Sequence, residues 1–155
     1  MSCVEIEFRE GTATKEDIRA HLEGCDRDFS PKLSLKVNID EYSKKITTRA
    51  KTFEAWSGRA LVGLVAAYMN DPSTRTGFIT SVSVVKEFMG RGIASSLLER
   101  CLNRSREQGM KTLRLEVSLD SREAIHLYKH FGFSEIVRKG ETMSMELEIS
   151  EKRQS

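Results

Sequence analysis

The chain of 155 residues lacks the features that would assign it to several large classes of protein. No apolar run approaches the roughly 20 residues that span a bilayer, and Met1-Ser2-Cys3-Val4-Glu5 is not a secretory signal. A cytoplasmic location with no membrane partner is the expectation. The three cysteines, Cys3, Cys25 and Cys101, are odd in number and lack metal-ligand spacing. They read as reduced thiols, with Cys101 in the core, and no metal is expected. Charge of one sign is also missing, since 25 basic residues against 23 acidic ones leave a net +2; no overall field points to nucleic acid. There are only two prolines, no internal repeat and no stretch rich in Pro, Gly or Ser. One domain over residues 1–150 with a polar tail, 151–155, is expected. What remains, 39% apolar and 31% charged, is the composition of a soluble globular domain.

The informative stretch is Val82-Ser83-Val84-Val85-Lys86-Glu87-Phe88-Met89-Gly90-Arg91-Gly92-Ile93-Ala94-Ser95-Ser96-Leu97-Leu98. Val82, Val84 and Val85 favour extended backbone, whereas Ile93, Leu97, Leu98, Cys101 and Leu102 recur at helical spacing. The period changes at Gly90-Arg91-Gly92, where two glycines permit a tight turn and close approach of another molecule to the main chain. N–H groups of the first helical turn have no intrahelical partner and sit at the positive end of the helix dipole, which makes an anion site. Arg91 is placed to add a charged donor at its mouth. A lone glycine pair is more often a plain turn. The stretch has neither the Lys-Ser/Thr ending of a Walker A loop nor the three glycines of a dinucleotide-binding turn.

Periodicity predicts a strand at 4–9 and a helix capped by Thr14, with Asp17 at its third position, ending at Gly24. An irregular segment, 25–38, precedes a helix at 39–46; strands at 51–56 and 60–69 are joined through Ser57-Gly58-Arg59. A strand at 77–85 feeds the helix that runs to Gln108, where Gly109 ends it. A strand at 112–117 follows, then a helix with capping-box spacing at Asp120-Ser121-Arg122-Glu123, whose apolar face is Ala124, Leu127, Tyr128 and Phe131 and whose end is Gly132. Two last strands, 134–138 and 142–149, turn at Lys139-Gly140. The order describes an α/β fold, a mixed sheet of about seven strands with four helices on its faces.

Two segments together resemble one family. Residues 82–98 are similar to the acetyl-CoA-binding motif of the GNAT N-acetyltransferases, and Leu115-Glu116-Val117 through Ala124-Ile125-His126-Leu127-Tyr128-Lys129-His130-Phe131-Gly132-Phe133 resembles their second motif. Met89, Lys86, Ser121 and Ala94 depart from the residues usual at those places. The resemblance implies that Val82 and Val84 pair through main-chain groups with the pantetheine arm of acetyl-CoA. It implies that the turn Gly90, Arg91, Gly92, Ile93, Ala94, Ser95 holds the pyrophosphate, that Ser83 lies on the pairing strand, and that Ser121 lies near the arm. It also implies a small-molecule or peptide amine as acceptor, and a homodimer is common in the family.

Transfer to an amine needs a proton removed from the nucleophile and one given to the departing thiolate. Tyr128 stands where the family carries its acid; the plain alternative is a packed tyrosine with its hydroxyl hydrogen-bonded. Glu116 resembles the base of bacterial enzymes that acetylate ribosomal-protein N-termini. An ion pair with Arg114, two residues away on the strand, and a water relay without a dedicated base are the competing readings. His21, His126 and His130 fall off the apolar stripes and read as solvated, and Lys36, Lys44, Lys45, Arg49 and Lys51 as a dispersed basic face. The expectation is direct acetyl transfer to a primary amine. Rival readings are a non-catalytic acyl-CoA sensor and an interaction domain with a purely structural turn.

Overall fold

The computed structural model describes residues 5–29 and 31–149. Seven strands form one sheet in the order β1-β2-β3-β4-β5-β7-β6. The strands are β1 Glu7–Glu10, β2 Lys51–Ser57, β3 Ala60–Tyr68, β4 Thr76–Val84, β5 Thr112–Ser118, β6 Ser134–Lys139 and β7 Thr142–Glu148. The helices are α1 Lys15–Cys25, α2 Leu33–Lys36, α3 Ile39–Arg49, α4 Ile93–Glu107 and α5 Arg122–Phe131, with 3₁₀ turns at Asp26–Asp28 and Lys86–Phe88. All neighbours pair antiparallel except β4 and β5, which are parallel. The expected first strand begins later, at Glu7, and its residue Val4 lies outside the described residues, as do Cys3 and the tail 151–155.

Local chemistry sets most boundaries. Thr14 caps α1 through a capping box, its hydroxyl accepting from Asp17 N–H at 3.1 Å while Asp17 accepts from Thr14 N–H at 2.9 Å. Gly24 does not end this helix as expected. It stays helical because Cys25 continues the buried stripe of Ile18 and Leu22 into the core, and the chain leaves through the 3₁₀ turn that follows. Asn38 caps α3, accepting from Glu41 N–H at 2.9 Å, and the helix extends past the expected 46 to Arg49. The irregular segment before it contains α2, tied down by Ser34 N–H donating to the Asp26 carboxylate at 2.7 Å.

The two faces of the sheet are buried differently. One core joins Ile18, Leu22 and Ile46 of α1 and α3 to Trp56, Leu61, Leu64 and Ala66 of β2 and β3. The other packs α4 and α5 through Ile93, Leu97, Cys101 and Tyr128 against Phe53, Val65, Ile79, Leu115 and Met145. Beyond β4 the first face is open, with Arg114, Glu116 and every residue of β6 exposed. Under β2 lies a buried carboxylate, Glu54. It accepts from Thr12 N–H (2.9 Å), Thr12 Oγ1, Ala13 N–H (3.1 Å), Thr52 Oγ1 (2.6 Å) and Trp56 Nε1 (3.0 Å), anchoring the loop that leads into α1.

Candidate active site

The sheet parts in its middle. Parallel pairing of β4 with β5 runs only from Thr76↔Thr112 to Ile79↔Leu115, after which residues 80–84 and 116–118 run on without each other. The parting coincides with a bulge in β4. Its register against β3 steps from Ala67↔Ile79 to Ala66↔Ser81, so that Thr80 is the extra residue. Val85 N–H donates to Val62 O at 2.8 Å. By the two-residue alternation of an antiparallel pair, Ser83 and Ser81 therefore bond to β3, while the main-chain groups of Val82 and Val84 face the opening. The side chains of Val82 and Val84 meanwhile pack on the α4–α5 core. Both of the expected roles of these valines are compatible with this arrangement.

At the end of β4 the chain enters α4 through Gly90 (φ 78°) and Gly92 (φ 76°), both in the left-handed region that glycine adopts without strain. Gly92 is the N-cap and no side chain satisfies the first turn, whose earliest helical bond is Ser96 N–H to Gly92 O at 3.0 Å. The N–H groups of Ile93, Ala94 and Ser95 precede it and point along the helix axis. Among the described residues nothing lies within 4 Å of where a Cβ would stand at either glycine, so an anion has room to approach. Arg91, expected at the mouth of this turn, makes contacts on its N-terminal side. Its Nη2 donates to Glu87 O at 3.3 Å with its guanidinium 5.0 Å over the Phe88 ring, a contact that turns the charge back on the preceding 3₁₀ turn. Free strand edge and uncapped helix together fit an extended, amide-bearing chain that ends in a phosphate.

The two proposed catalytic residues lie on opposite faces of the sheet. Tyr128 is buried on the α5 side, its ring edge-on to Phe133 at 6.0 Å, and its hydroxyl has no hydrogen-bond partner among the described residues. Burial alone pushes its pKa up to about 12. Glu116 lies on the open side, exposed. The Arg114 ion pair considered for it is not formed, because Arg114 Nε instead donates to Glu146 across on β7 at 2.7 Å. The expected capping box from Asp120 to Glu123 does not close, because α5 begins one residue later: Ser121 is its N-cap, which puts Glu123 at the second helical position, and the Ser121 hydroxyl makes no capping bond.

His21 corrects the sequence reading, which placed it in solvent. It is 4% exposed; its Nδ1–H donates to Leu61 O at 2.9 Å, which leaves Nε2 to accept from Ser83 Oγ at 2.9 Å. Burial lowers its pKa to about 4, against the pull of those hydrogen bonds. The signal was present: His21 stands three residues after Ile18 and four before Cys25, on the buried stripe. No local pattern marks Tyr42 of α3. Its hydroxyl donates to Thr80 O at 2.6 Å, and burial raises it to about 12. α1 and α3 thus hold β4 from behind, at residues 83 and 80, and leave its other edge to the opening. His126 and His130 are exposed as expected, Cys101 is fully buried, and no group of metal-ligating side chains occurs among the described residues.

Residues 15–133 match the acetyltransferase (GNAT) family. N-alpha-acetyltransferase MAK3 of Arabidopsis thaliana is 34% identical over 82 residues, 52% of this chain and 43% of that protein. N-alpha-acetyltransferase 30 of Schizosaccharomyces pombe is 33% identical over 61 residues, 39% of this chain and 41% of that protein. The chain therefore spans less than half the length of these curated relatives. In fold, it is similar to the PaiA N-acetyltransferase of Thermoplasma acidophilum in complex with coenzyme A, with a TM-score of 0.74 and 15% identity over 93% of this chain and 99% of that one. Since the family match runs from α1 through α5 and takes in the parted strands and the glycine turn, the chain belongs to the acetyltransferase (GNAT) family, whose acetyl donor is acetyl-CoA.

Proposed function

We propose that this protein transfers acetyl from acetyl-CoA to a primary amine by direct attack, and that the amine is the α-amine of a peptide or protein. The observation that carries the transfer is the free edge of β4 at Val82 and Val84, continuing into the uncapped start of α4. The names of the two curated relatives support the α-amine. When bound, acetyl-CoA supplies an activated thioester. Val82 and Val84 offer main-chain N–H and C=O groups to its pantetheine arm as a neighbouring strand would, and an N–H of this pair polarises the acetyl carbonyl. N–H groups of residues 93–95 take the diphosphate, and Ser121, with no capping duty, is left to bond the arm.

Glu116 accepts the proton that the attacking amine releases, directly or through water, and Tyr128 gives its phenolic proton to the leaving thiolate. Burial pushes Tyr128 up to about 12, so it keeps its proton until a basic thiolate forms, and burial raises the Cys25 and Cys101 thiols to about 12 as well. Those two buried thiols are for the same reason poor nucleophiles, which favours direct attack over an acetyl-cysteine route.

The test is release of free thiol from acetyl-CoA across an amine library that includes short peptides, with Tyr128→Phe and Glu116→Gln run on each accepted amine. Amine-dependent release that drops in both variants is expected. A rise in Tm with coenzyme A but no release with any amine would leave a sensor of the cofactor in place of an enzyme.

A further inference from the structure

β6 carries a second bulge, and its effect is on the open face of the sheet. Register against β7 steps from Glu135↔Met145 to Val137↔Ser144, so Ile136 is an extra residue. Bulges re-aim side chains. Here Ile136 and Val137, consecutive in sequence, both line one groove of about 220 Å³, together with Phe78, Arg114, Leu115, Glu116 and Ser144. Among the described residues the large hydrophobic side chains left exposed are Leu35, Phe78, Met89, Ile136 and Val137, and three of those five meet in this groove at 36%, 47% and 53% exposure. Apolar exposure concentrated in this way marks a binding surface.

The groove also has a sign. Arg114 is neutralised by Glu146 at 2.7 Å, whereas the described residues offer Glu116 no ion pair. The wall's uncompensated charge is therefore a carboxylate, at the residue where the opening between β4 and β5 begins. Its size suits one side chain, below the roughly 300 Å³ at which pockets begin to hold whole small molecules.

We propose that the acceptor carries an apolar side chain beside its ammonium group, the side chain seated on Phe78, Ile136 and Val137 and the ammonium facing Glu116. This inference rests on the acetyltransferase reading above and narrows it. An acceptor whose second ammonium or hydroxyl groups lay over Ile136 and Val137 would lose water there and gain no partner. A peptide that begins with a leucine-like or phenylalanine-like residue meets both halves of the groove.

The test compares peptide amides identical except for a first residue of Leu, Phe, Ser or Asp, in wild type, Ile136→Lys and Val137→Lys. Both positions are exposed, so the substitutions leave the core untouched. The wild type is expected to favour Leu and Phe over Ser and Asp by about tenfold or more in kcat/KM, the range over which apolar pockets discriminate. Val137→Lys and Ile136→Lys should each erase that preference and improve the Asp peptide, with KM for acetyl-CoA changed less than twofold. Equal turnover of all four peptides, or a preference that survives both lysines, overturns the proposal while leaving the acetyltransferase intact. If no amine releases thiol, the same peptides titrated by calorimetry onto the protein with coenzyme A still decide it, since loss of catalysis leaves the groove in place. Tighter binding of the Leu and Phe peptides supports the proposal, and equal binding of all four overturns it.

Discussion

Replacing Glu54 by Gln gives the most direct check on how the site is braced. The carboxylate is fully buried and every one of its five partners is a donor: two N–H groups, two hydroxyls and the Trp56 indole. Burial pushes its pKa up, but the Thr12, Thr52, Ala13 and Trp56 donors outweigh that and hold it below the usual glutamate value. A glutamine must turn its NH₂ toward some of these donors. The least costly choice faces Thr12 Oγ1, which can rotate to accept, and Trp56 Nε1, which cannot. One buried indole N–H is then unpaired, at about 1–3 kcal/mol, and the remaining bonds lose their charge assistance, so a total of about 2–4 kcal/mol is expected. The sign with pH follows from the depressed native pKa. Glu54 contributes its full stability above the unfolded glutamate value and loses it as pH falls through the native one. Urea unfolding at pH 7 and at steps below pH 5 measures both effects. A Gln variant within 0.5 kcal/mol of wild type at pH 7, or one that keeps the wild-type acid slope, would refute the reasoning. Because this loop leads into α1, which holds Ser83 through His21, the variant should also raise KM for acetyl-CoA.

The other expectations concern the site itself. Tyr128→Phe removes a hydroxyl that has no partner among the described residues, so Tm should hold or rise slightly while kcat falls about 10²–10⁴-fold, the range of a lost general acid; a variant of unchanged kcat refutes the role. Gly92→Ala forces a left-handed residue at φ 76° where space is open, so strain alone acts, at about 1–2 kcal/mol. Its KM for acetyl-CoA should rise more than its Tm falls, and an unaltered KM would detach the turn from the cofactor. His21 has a native pKa near 4, below its unfolded value, so the unfolded chain binds the extra proton. Its contribution is complete above about pH 6.5 and falls away toward pH 4, by on the order of 3 kcal/mol. In His21→Gln this acid-side loss should vanish from a stability profile; persistence of the full loss would place its origin elsewhere.

Much of the fold is legible because it depends on neighbours in sequence. The capping box of Thr14 and Asp17, the hairpin turn at Gly58, and the stops at Gly109 and Gly132 rest on dihedral preference and short-range hydrogen bonds, and they stand where composition and period put them. The end of α1 departs from the local pattern for a related reason. Gly24 resembles a stop signal, yet burial of Cys25 one residue later outweighs the small helical penalty of a glycine. Around the opening, the strand, the glycine turn and the place of Tyr128 on the buried face of α5 are readable, because each follows from a contiguous pattern. Arg114 was matched with Glu116 because both alternate on one strand face. Its partner is Glu146, 32 residues away, which only the β5–β7 register brings within reach.

The sequence by itself determined the order of elements, the strand-to-helix change of period at residues 90–92 and the conformations there that call for glycine, since backbone sterics act within a few residues. Tertiary structure alone decided that β4 and β5 separate after Ile79, that His21 and Tyr42 brace the separated strand, and that Phe78 meets Ile136 and Val137 across four strands. Those outcomes depend on registers and bulges chosen by packing two cores at once, and no local pattern encodes the partner that a distant strand will present.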